Sequence, residues 1–405
     1  MHHRWIALAA GCLSLMAGPA SAEFTGGVLR IGVLNDQSGI YADMAGPGSV
    51  VAAKIAVEQF GGKIGNVPIE IVTGDHQNKP DVGLNIARQW LDVGGVDMIA
   101  DIPNSSIALA LSGLVKEKNK VAVITTSNSN RLTGDSCSPN HVHWTLDNYS
   151  LAKSTGTEVV KSGGTSWFFI TADYAFGHDM EREAGQIVKD AGGTVVGSVR
   201  HPLSTSDLSS FLVQAQGSGA KVIGLANAGS DFTNAMKQAA EFGITQSGQR
   251  IAGLAVYLTD VRSLGLSSGQ GIYLSEPFYW DLNDDTRAFA KAFGERHGGA
   301  MPTSFQAGVY SGVLHYLKAV AAVGGDADGR AIVAKMKELP TDDLAFGKGY
   351  VRVDGRKIHP MYLFRVKAPG QSKGTWDLYE KKGETPGDQA FKPLNGGGCS
   401  LVPQN

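Results

Sequence analysis

The chain has 405 residues, of which 42% are hydrophobic and 18% are charged, and its net charge is −2. This composition is typical of a globular protein and excludes a disordered chain. The small net charge argues against a nucleic-acid-binding or anionic-membrane-binding protein, and the length predicts two domains.

The first 22 residues have the three parts of a secretory signal. Residues 2–4 form a basic start, an apolar run continues to Ala17, and Ala20-Ser21-Ala22 supplies the small residues of a cleavage site. We therefore expect cleavage after Ala22 and export from the cytoplasm. Beyond this segment no apolar run of about 18 residues remains, so we predict no membrane-spanning helix.

Apolar runs alternate with amphipathic stretches through the first half of the chain. The apolar runs predict buried strands at residues 29–34, 69–72, 98–100 and 121–125. Spacings of three to four residues predict helices at residues 50–60, 84–91 and 105–118. This repeated strand–helix–strand order predicts a parallel sheet with helices on both faces.

The same alternation begins again after Leu146. Predicted strands cover residues 167–170, 194–199, 222–226, 251–256 and 272–277, and predicted helices cover residues 149–162, 177–191, 208–216, 231–242, 285–297, 303–323 and 330–339. The predicted fold class is therefore α/β, with two doubly wound parallel-sheet lobes.

The end of the chain has a different pattern. Residues 349–353 and 361–366 predict two strands around the turn Asp354-Gly355. The tail from Pro369 onward is rich in glycine, proline and lysine, and we expect irregular structure there.

The three cysteines carry a prediction about the tail. Cys12 lies within the signal, where lipid attachment after Ala9-Ala10-Gly11 is an alternative to simple removal. The exported chain keeps Cys137 and Cys399, and two cysteines in an oxidising compartment predict a disulfide between them. Two unpaired thiols are the alternative.

Motifs of catalysis and of metal binding are sparse. The sequence has no nucleophile elbow, no phosphate-binding loop and no zinc-protease motif. His141 and His143 have the spacing of a metal pair on a strand, but no carboxylate cluster accompanies them. We therefore predict neither a metal nor a cofactor.

Uncharged polar loops follow four of the predicted strands, at residues 101–106, 125–130, 171–177 and 227–231. Ser105 or Ser106 is the expected N-cap of the helix that starts there, and its first-turn amides are free to bind an anion; simple capping without a ligand is the alternative. Ligands of open α/β sheets lie at the carboxyl ends of the strands. Four such loops in two lobes therefore predict one site between the lobes.

The order of elements and several segments resemble the type I periplasmic binding proteins, in particular the leucine/isoleucine/valine-binding branch that serves ATP-driven importers. The matching segments are residues 31–34 with Ser38-Gly39, 104–106, 171–177, 227–231 with 236–239, and 347–364. The resemblance implies two lobes joined by a three-segment hinge, with crossovers near residues 146, 279 and 355. Lobe 1 would hold residues 23–146 and 280–355, and lobe 2 residues 147–279 and 356–405.

The resemblance also implies a ligand site. Ligands of the family carry a carboxylate, which the loops at residues 104–106 and 125–127 would bind. Asp231 falls where amino-acid binders hold the ligand's ammonium group, although it could instead only cap its helix. Tyr149, Phe278 and Trp280 are further candidates if the cleft is wider. The expected ligand-binding residues are Ser38, Tyr41, Asn104, Ser105, Ser106, Thr125, Thr126, Ser127, Tyr174, Phe176, Asn227 and Asp231.

These features together favour a solute receptor over an enzyme. The resemblance implies a monomer in the periplasm that captures a branched-chain or related amino acid, or an aromatic acid, and delivers it to an ABC transporter permease in the inner membrane. A ligand-sensing subunit for a membrane receptor is an alternative. An exported enzyme acting on a small acid or amide is another, although only His76 and His178 lie near the expected cleft, where we expect them to be solvated.

Overall fold

The computed structural model describes residues 24–403. The predicted signal, with Cys12 and the cleavage site after Ala22, lies outside the described residues. Within residues 24–403, no helix combines the length and apolar character needed to cross a bilayer.

The first part of the chain forms a six-stranded sheet with helices on both faces. Its elements are β1 (Leu29–Asn35), α1 (Gly46–Phe60), β2 (Lys63–Ile64), β3 (Val67–Asp75), α2 (Pro80–Asp92), β4 (Met98–Asp101), α3 (Ser105–Glu117), β5 (Val121–Ile124) and β6 (His141–His143). The strand order is β2-β3-β1-β4-β5-β6, and only the short β2 pairs antiparallel. This confirms the first predicted parallel sheet.

The second part builds a four-stranded parallel sheet in the order β10-β9-β7-β8. Its elements are α4 (Asn148–Lys161), β7 (Ser166–Ala172), α5 (Ala175–Asp190), β8 (Thr194–His201), α6 (Ser209–Gly217), β9 (Val222–Ala226), α7 (Ser230–Glu241), β10 (Arg250–Gly253), α8 (Leu258–Leu264) and α9 (Leu266–Gly269). The second predicted parallel sheet is therefore confirmed as well.

The last part of the chain adds β11 (Tyr273–Glu276), α10 (Asp284–Arg296), α11 (Ser304–Val323), α12 (Gly329–Glu338), β12 (Tyr350–Val351), β13 (Lys357–Ile358), β14 (Met361–Val366), β15 (Tyr379–Thr385) and α13 (Gly387–Ala390). Strands β11, β14 and β15 form a separate antiparallel sheet, and β12 pairs with β13. α10 and α11 pack against α1 of the first part.

Two predictions for the chain end are wrong. β12 pairs with β13 rather than with residues 361–366, because the turn at Gly355, with φ of +88°, brings the two short segments together. β14 pairs instead with β11, which precedes α10, α11 and α12 in the chain, and with β15, the next strand. The tail therefore contains a regular strand, β15, where irregular structure was expected.

The chain passes between the two parallel sheets three times: between β6 and β7, between β11 and α10, and between β13 and β14. The first and third passes pack together, since His359 Nε2 donates to the backbone oxygen of Thr145 at 2.6 Å. Just before β13, the fully buried Arg356 donates to the backbone oxygens of Trp144 at 2.6 Å and Leu146 at 3.3 Å. The predicted lobe boundaries near residues 146, 280 and 355 lie at or beside these passes and stay predictions.

The tail is fastened to both parts of the chain. Cys137 and Cys399 form the predicted disulfide across a sequence separation of 262 residues, so the alternative of two free thiols is wrong. Nearby, the Lys392 ammonium lies 2.8 Å from the Glu183 carboxylate on α5.

We expect reduction of the Cys137–Cys399 disulfide to lower the free energy of unfolding by about 2–4 kcal/mol, because the cross-link restricts the unfolded chain. Urea unfolding with and without a reducing agent measures this change. A variant with both cysteines replaced by serine serves as the control, and the reductant should not affect it. Equal unfolding midpoints for oxidised and reduced protein would contradict the prediction.

Candidate functional site

The carboxyl ends of the two parallel sheets face each other, and the loops that follow the strands meet in the gap. They enclose a small cavity of about 20 Å³, which has room for about one water molecule. The cavity is lined by Tyr41, Met44, Pro103, Thr126, Asn128, Tyr174, Phe176, Ala228, Tyr257 and Phe305. Four of the predicted ligand-binding residues, namely Tyr41, Thr126, Tyr174 and Phe176, are thus brought together.

Tyrosine hydroxyl groups join the two walls of the cavity. The Tyr41 and Tyr174 hydroxyl oxygens are 2.5 Å apart and share a hydrogen bond. On another side, Asn128 Nδ2 donates to the Tyr257 hydroxyl at 2.7 Å. The Tyr257 ring meets Phe305 edge-on, with 4.7 Å between ring centroids. The cavity therefore combines ring surfaces with a few neutral polar groups, which is typical of small-molecule sites.

Asp36 shapes the loop that carries Tyr41. Its carboxylate accepts hydrogen bonds from the backbone N–H groups of Gly39 at 2.8 Å and Tyr41 at 2.9 Å. Ser38, on the same loop, turns away and donates to Asp75 at 2.6 Å. Ser38 therefore lines a separate outer pocket of about 480 Å³ rather than the inner cavity.

The predicted residues at the start of α3 serve the helix itself. Asn104 Oδ1 accepts hydrogen bonds from the backbone N–H groups of Ser106 at 3.0 Å and Ile107 at 3.2 Å. Asn104 is thus the helix cap, in place of the expected Ser105 or Ser106. Ser105 Oγ accepts a hydrogen bond from Ser127 Oγ at 2.9 Å. None of these residues lines the inner cavity, and two of the amides expected to bind a ligand are bonded within the protein.

The threonines after β5 point toward a buried carboxylate. The hydroxyl groups of Thr125, at 3.2 Å, and Thr126 both donate to Asp101 Oδ1. Thr126 also lines the cavity, whereas Thr125 lies behind it. These bonds decide which way the Thr126 hydroxyl hydrogen points.

Asp231 lies in the first turn of α7 and does not line the inner cavity, although it is near enough to add to the effect of burial in raising the pKa of the Tyr174 hydroxyl. Its Oδ2 accepts a hydrogen bond from Ser204 N at 3.1 Å, while its buried Oδ1 has no hydrogen-bond partner in the described chain. Burial raises the pKa of Asp231 to about 7. The helix-cap alternative is wrong, because Gly229 is the cap residue and no side chain caps α7. Asn227 points elsewhere, toward His201 Nε2 at 3.1 Å.

The wider aromatic cleft that the sequence suggested does not form. Phe278 packs in the core against Phe289. Trp280 Nε1 donates to the Trp376 carbonyl at 2.8 Å, away from the cavity. Tyr149 lies on α4 and packs beneath the Lys153 ammonium.

The histidines are accounted for by internal contacts. His141 and His143 are fully buried, and their Nε2 atoms donate to the backbone oxygens of Leu132 at 2.7 Å and Ser127 at 2.6 Å. Residues 24–403 contain no group of three metal-ligating side chains. His76 is also fully buried, so the expectation that it is solvated is wrong.

The sequence did not identify several residues of the cavity wall as ligand-binding candidates. Tyr257 follows β10, so the strand-end rule that selected Tyr174 could also have found it. Pro103, Asn128 and Ala228 belong to predicted polar loops but were not identified as ligand-binding residues. Met44 lies outside those loops, and Phe305 lies in the first turn of a helix that follows no strand.

The profile of the periplasmic binding protein family matches residues 28–375. The chain belongs to this family. A periplasmic binding protein of Burkholderia mallei is 45% identical in sequence, with a TM-score of 0.90, and the match covers 93% of this chain and 100% of that one. A family member from Burkholderia xenovorans, described as a branched chain amino acid ABC transporter periplasmic ligand-binding protein, is 41% identical, with a TM-score of 0.80 and coverages of 92% and 99%.

A third relative comes from Brucella melitensis and is named a Leu/Ile/Val-binding protein homolog. It is 24% identical over 391 residues, which is 93% of this chain and 98% of the relative. The match to the family extends over both parallel sheets and both walls of the cavity. The family assignment thus applies to the whole site, and it confirms the resemblance predicted from the sequence.

Ionisation of Asp231 makes stability depend on pH. Its folded-state pKa of about 7 lies above the unfolded value of about 4. The folded state therefore binds the proton more tightly, and the stabilisation is complete below about pH 4 and lost as the pH rises through about 7. Between about pH 4 and pH 8 we expect the free energy of unfolding of the wild-type protein to fall by about 4 kcal/mol more than that of Asp231→Asn. Urea unfolding at both pH values measures this, and parallel profiles would rule out the assignment.

Proposed function

We propose that this protein is the periplasmic solute receptor of an ABC importer and that it captures a small α-amino acid between its two halves. Membership of the periplasmic binding protein family supports the receptor role. The description of the Burkholderia xenovorans relative supports the importer and a branched-chain ligand. The receptor would act as a monomer and deliver its ligand to the permease in the inner membrane.

The size of the cavity supports capture by hinge closure. Ligand pockets for small molecules measure about 300–1,000 Å³, whereas this cavity measures about 20 Å³. A ligand would therefore enter only when Tyr41 and Tyr174 separate. The three passes between the sheets provide a hinge for such a movement.

The amino-acid proposal depends on one observation: the buried carboxylate of Asp231 has no cationic partner in residues 24–403. A buried carboxylate without a cationic partner is costly, and no Lys, Arg or His of the described chain lies within 4 Å of it. A ligand ammonium group would supply the missing charge and a donor for Oδ1. The rings of Tyr174, Tyr257 and Phe305 would then contact an apolar ligand side chain.

An aromatic acid without an amine is the second candidate. The ring surfaces of the cavity favour it, because aromatic rings pack well in offset and edge-on arrangements. In that case the pKa of Asp231 would stay raised, since no ammonium group would stabilise its charge. A sensor subunit would use the same cleft, and adjacency of the gene to a kinase gene rather than to permease genes would favour that role. No observation favours the enzyme alternative.

A panel of leucine, phenylalanine, benzoate and 4-hydroxybenzoate tests the proposal by calorimetry and by the shift in melting temperature. We expect an amino acid to bind, and Asp231→Asn to weaken that binding about 10–100-fold, because a hydrogen bond to a charged group is lost. Asp190→Asn, an exposed change at the end of α5, is the control and should bind like wild type.

The binding results distinguish an amino-acid ligand from an aromatic-acid ligand. Binding of benzoate alone, with no effect of Asp231→Asn, would favour the aromatic acid. Absence of binding across the panel, together with no small molecule released on denaturation of the purified protein, would contradict the receptor proposal.

A further inference from the structure

A buried aspartate at the end of β4 organises one wall of the cavity. Asp101 is fully buried, and its carboxylate accepts hydrogen bonds from Asn35 Nδ2 at 2.9 Å, from the Thr125 hydroxyl at 3.2 Å and from the Thr126 hydroxyl. It therefore links the ends of three neighbouring strands, β1, β4 and β5. No cationic side chain in residues 24–403 lies within salt-bridge distance of it.

The backbone at Asp101 and Ile102 has an unusual conformation that hydrogen bonds stabilise. Asp101 has φ of +84° and Ile102 has φ of +62°, a region that β-branched residues rarely adopt. The Asp101 carbonyl accepts hydrogen bonds from the backbone N–H groups of Thr125 at 3.1 Å and Thr126 at 3.3 Å, and Ile102 N donates to Leu34 at 3.1 Å. The side chain of Asp101 is thus fixed relative to both threonines.

This arrangement determines whether the Thr126 hydroxyl donates or accepts a hydrogen bond toward the cavity. A threonine hydroxyl has one hydrogen to donate and two lone pairs to accept with. Because the Thr126 hydrogen is directed to Asp101, only lone pairs are available to a group in the cavity. The family resemblance implies that Thr126 binds a ligand carboxylate. A carboxylate needs a donor, however, and Thr126 cannot supply one while its hydrogen is donated to Asp101.

We infer that Asp101 is a positioning residue that presents Thr126 as a hydrogen-bond acceptor, so that the cleft selects ligands with an amine over analogues without one. The inference rests on the proposed function. An ammonium group would then be held from both halves of the protein, by Thr126 on one wall and Asp231 on the other.

The test is the ratio of affinities for an amino acid and its amine-free analogue, measured by calorimetry with leucine and 4-methylpentanoate and with phenylalanine and 3-phenylpropanoate. Asp101→Gly removes the acceptor and tolerates the positive φ. It should lower the ratio about tenfold. Asp101→Asn keeps a carbonyl oxygen and also tolerates this φ, so it should retain the ratio within about twofold.

Two Thr126 variants show whether Asp101 acts through that residue. Thr126→Val should lower the ratio at least as much as Asp101→Gly, because it removes the hydroxyl that Asp101 only orients, and Thr126→Ser should retain the ratio. The double variant Asp101→Gly/Thr126→Val should show no loss beyond that of Thr126→Val, because Asp101 acts through the Thr126 hydroxyl. The Thr126 variants also keep the test decisive if Asp101→Gly does not fold.

Asp97→Ala is the matched control, since Asp97 is a buried aspartate beside the opposite end of β4, paired with Lys120 at 2.6 Å. It should lower the melting temperature without changing the ratio. Additive losses in the double variant, or an unchanged ratio in Asp101→Gly or Thr126→Val, would overturn the inference. A wild-type protein that binds neither member of either pair would instead contradict the proposed function on which the inference rests.

Discussion

Parallel strands impose one constraint from which the site follows: all their carboxyl ends lie along the same edge of the sheet. In the first sheet this brings the loops after β1, β4 and β5 together, and in the second sheet the loops after β7, β9 and β10. Three passes of the chain hold the two edges face to face, and the disulfide at Cys399 fastens the tail across both parts. Hydrogen bonds between Tyr41 and Tyr174 and between Asn128 and Tyr257 join these two edges.

Two buried carboxylates outside the cavity lining determine the chemical character of the cavity. None of the side chains that line it carries a charge, yet a carboxylate lies behind each wall: Asp101 on one side and Asp231 on the other. Carboxylates screened from water act strongly on a nearby group, because the effective dielectric constant is low there. The neutral lining supplies shape and ring contacts, and the hidden carboxylates favour a ligand with hydrogen-bond donors.

Periodicity predicted both parallel sheets, and the family resemblance, with the polar loops at the strand ends, predicted four residues of the inner cavity. They succeeded where a local pattern decides the outcome, as for Tyr174 directly after β7. They failed where the partner is distant in sequence, as for the pairing of β14 with β11, which lies on the far side of α10, α11 and α12 in the chain. They also failed to separate polar groups that face the cavity from those used internally. Asn104 caps a helix and Ser105 bonds to Ser127, and only three-dimensional contacts reveal this.

Mass spectrometry after denaturation can identify the small molecule that co-purifies with the protein. A structure of the protein with that molecule bound then tests whether an amine is recognised between the two sheets. We expect this ligand to lie between the sheet edges, to separate the Tyr41 and Tyr174 hydroxyl groups, and to place an amine within hydrogen-bond distance of Asp231 and Thr126. A ligand bound elsewhere, for example in the charged pocket lined by Arg131, Arg182 and Lys392, would contradict it. So would a ligand in the cleft whose carboxylate, rather than its amine, contacts Thr126.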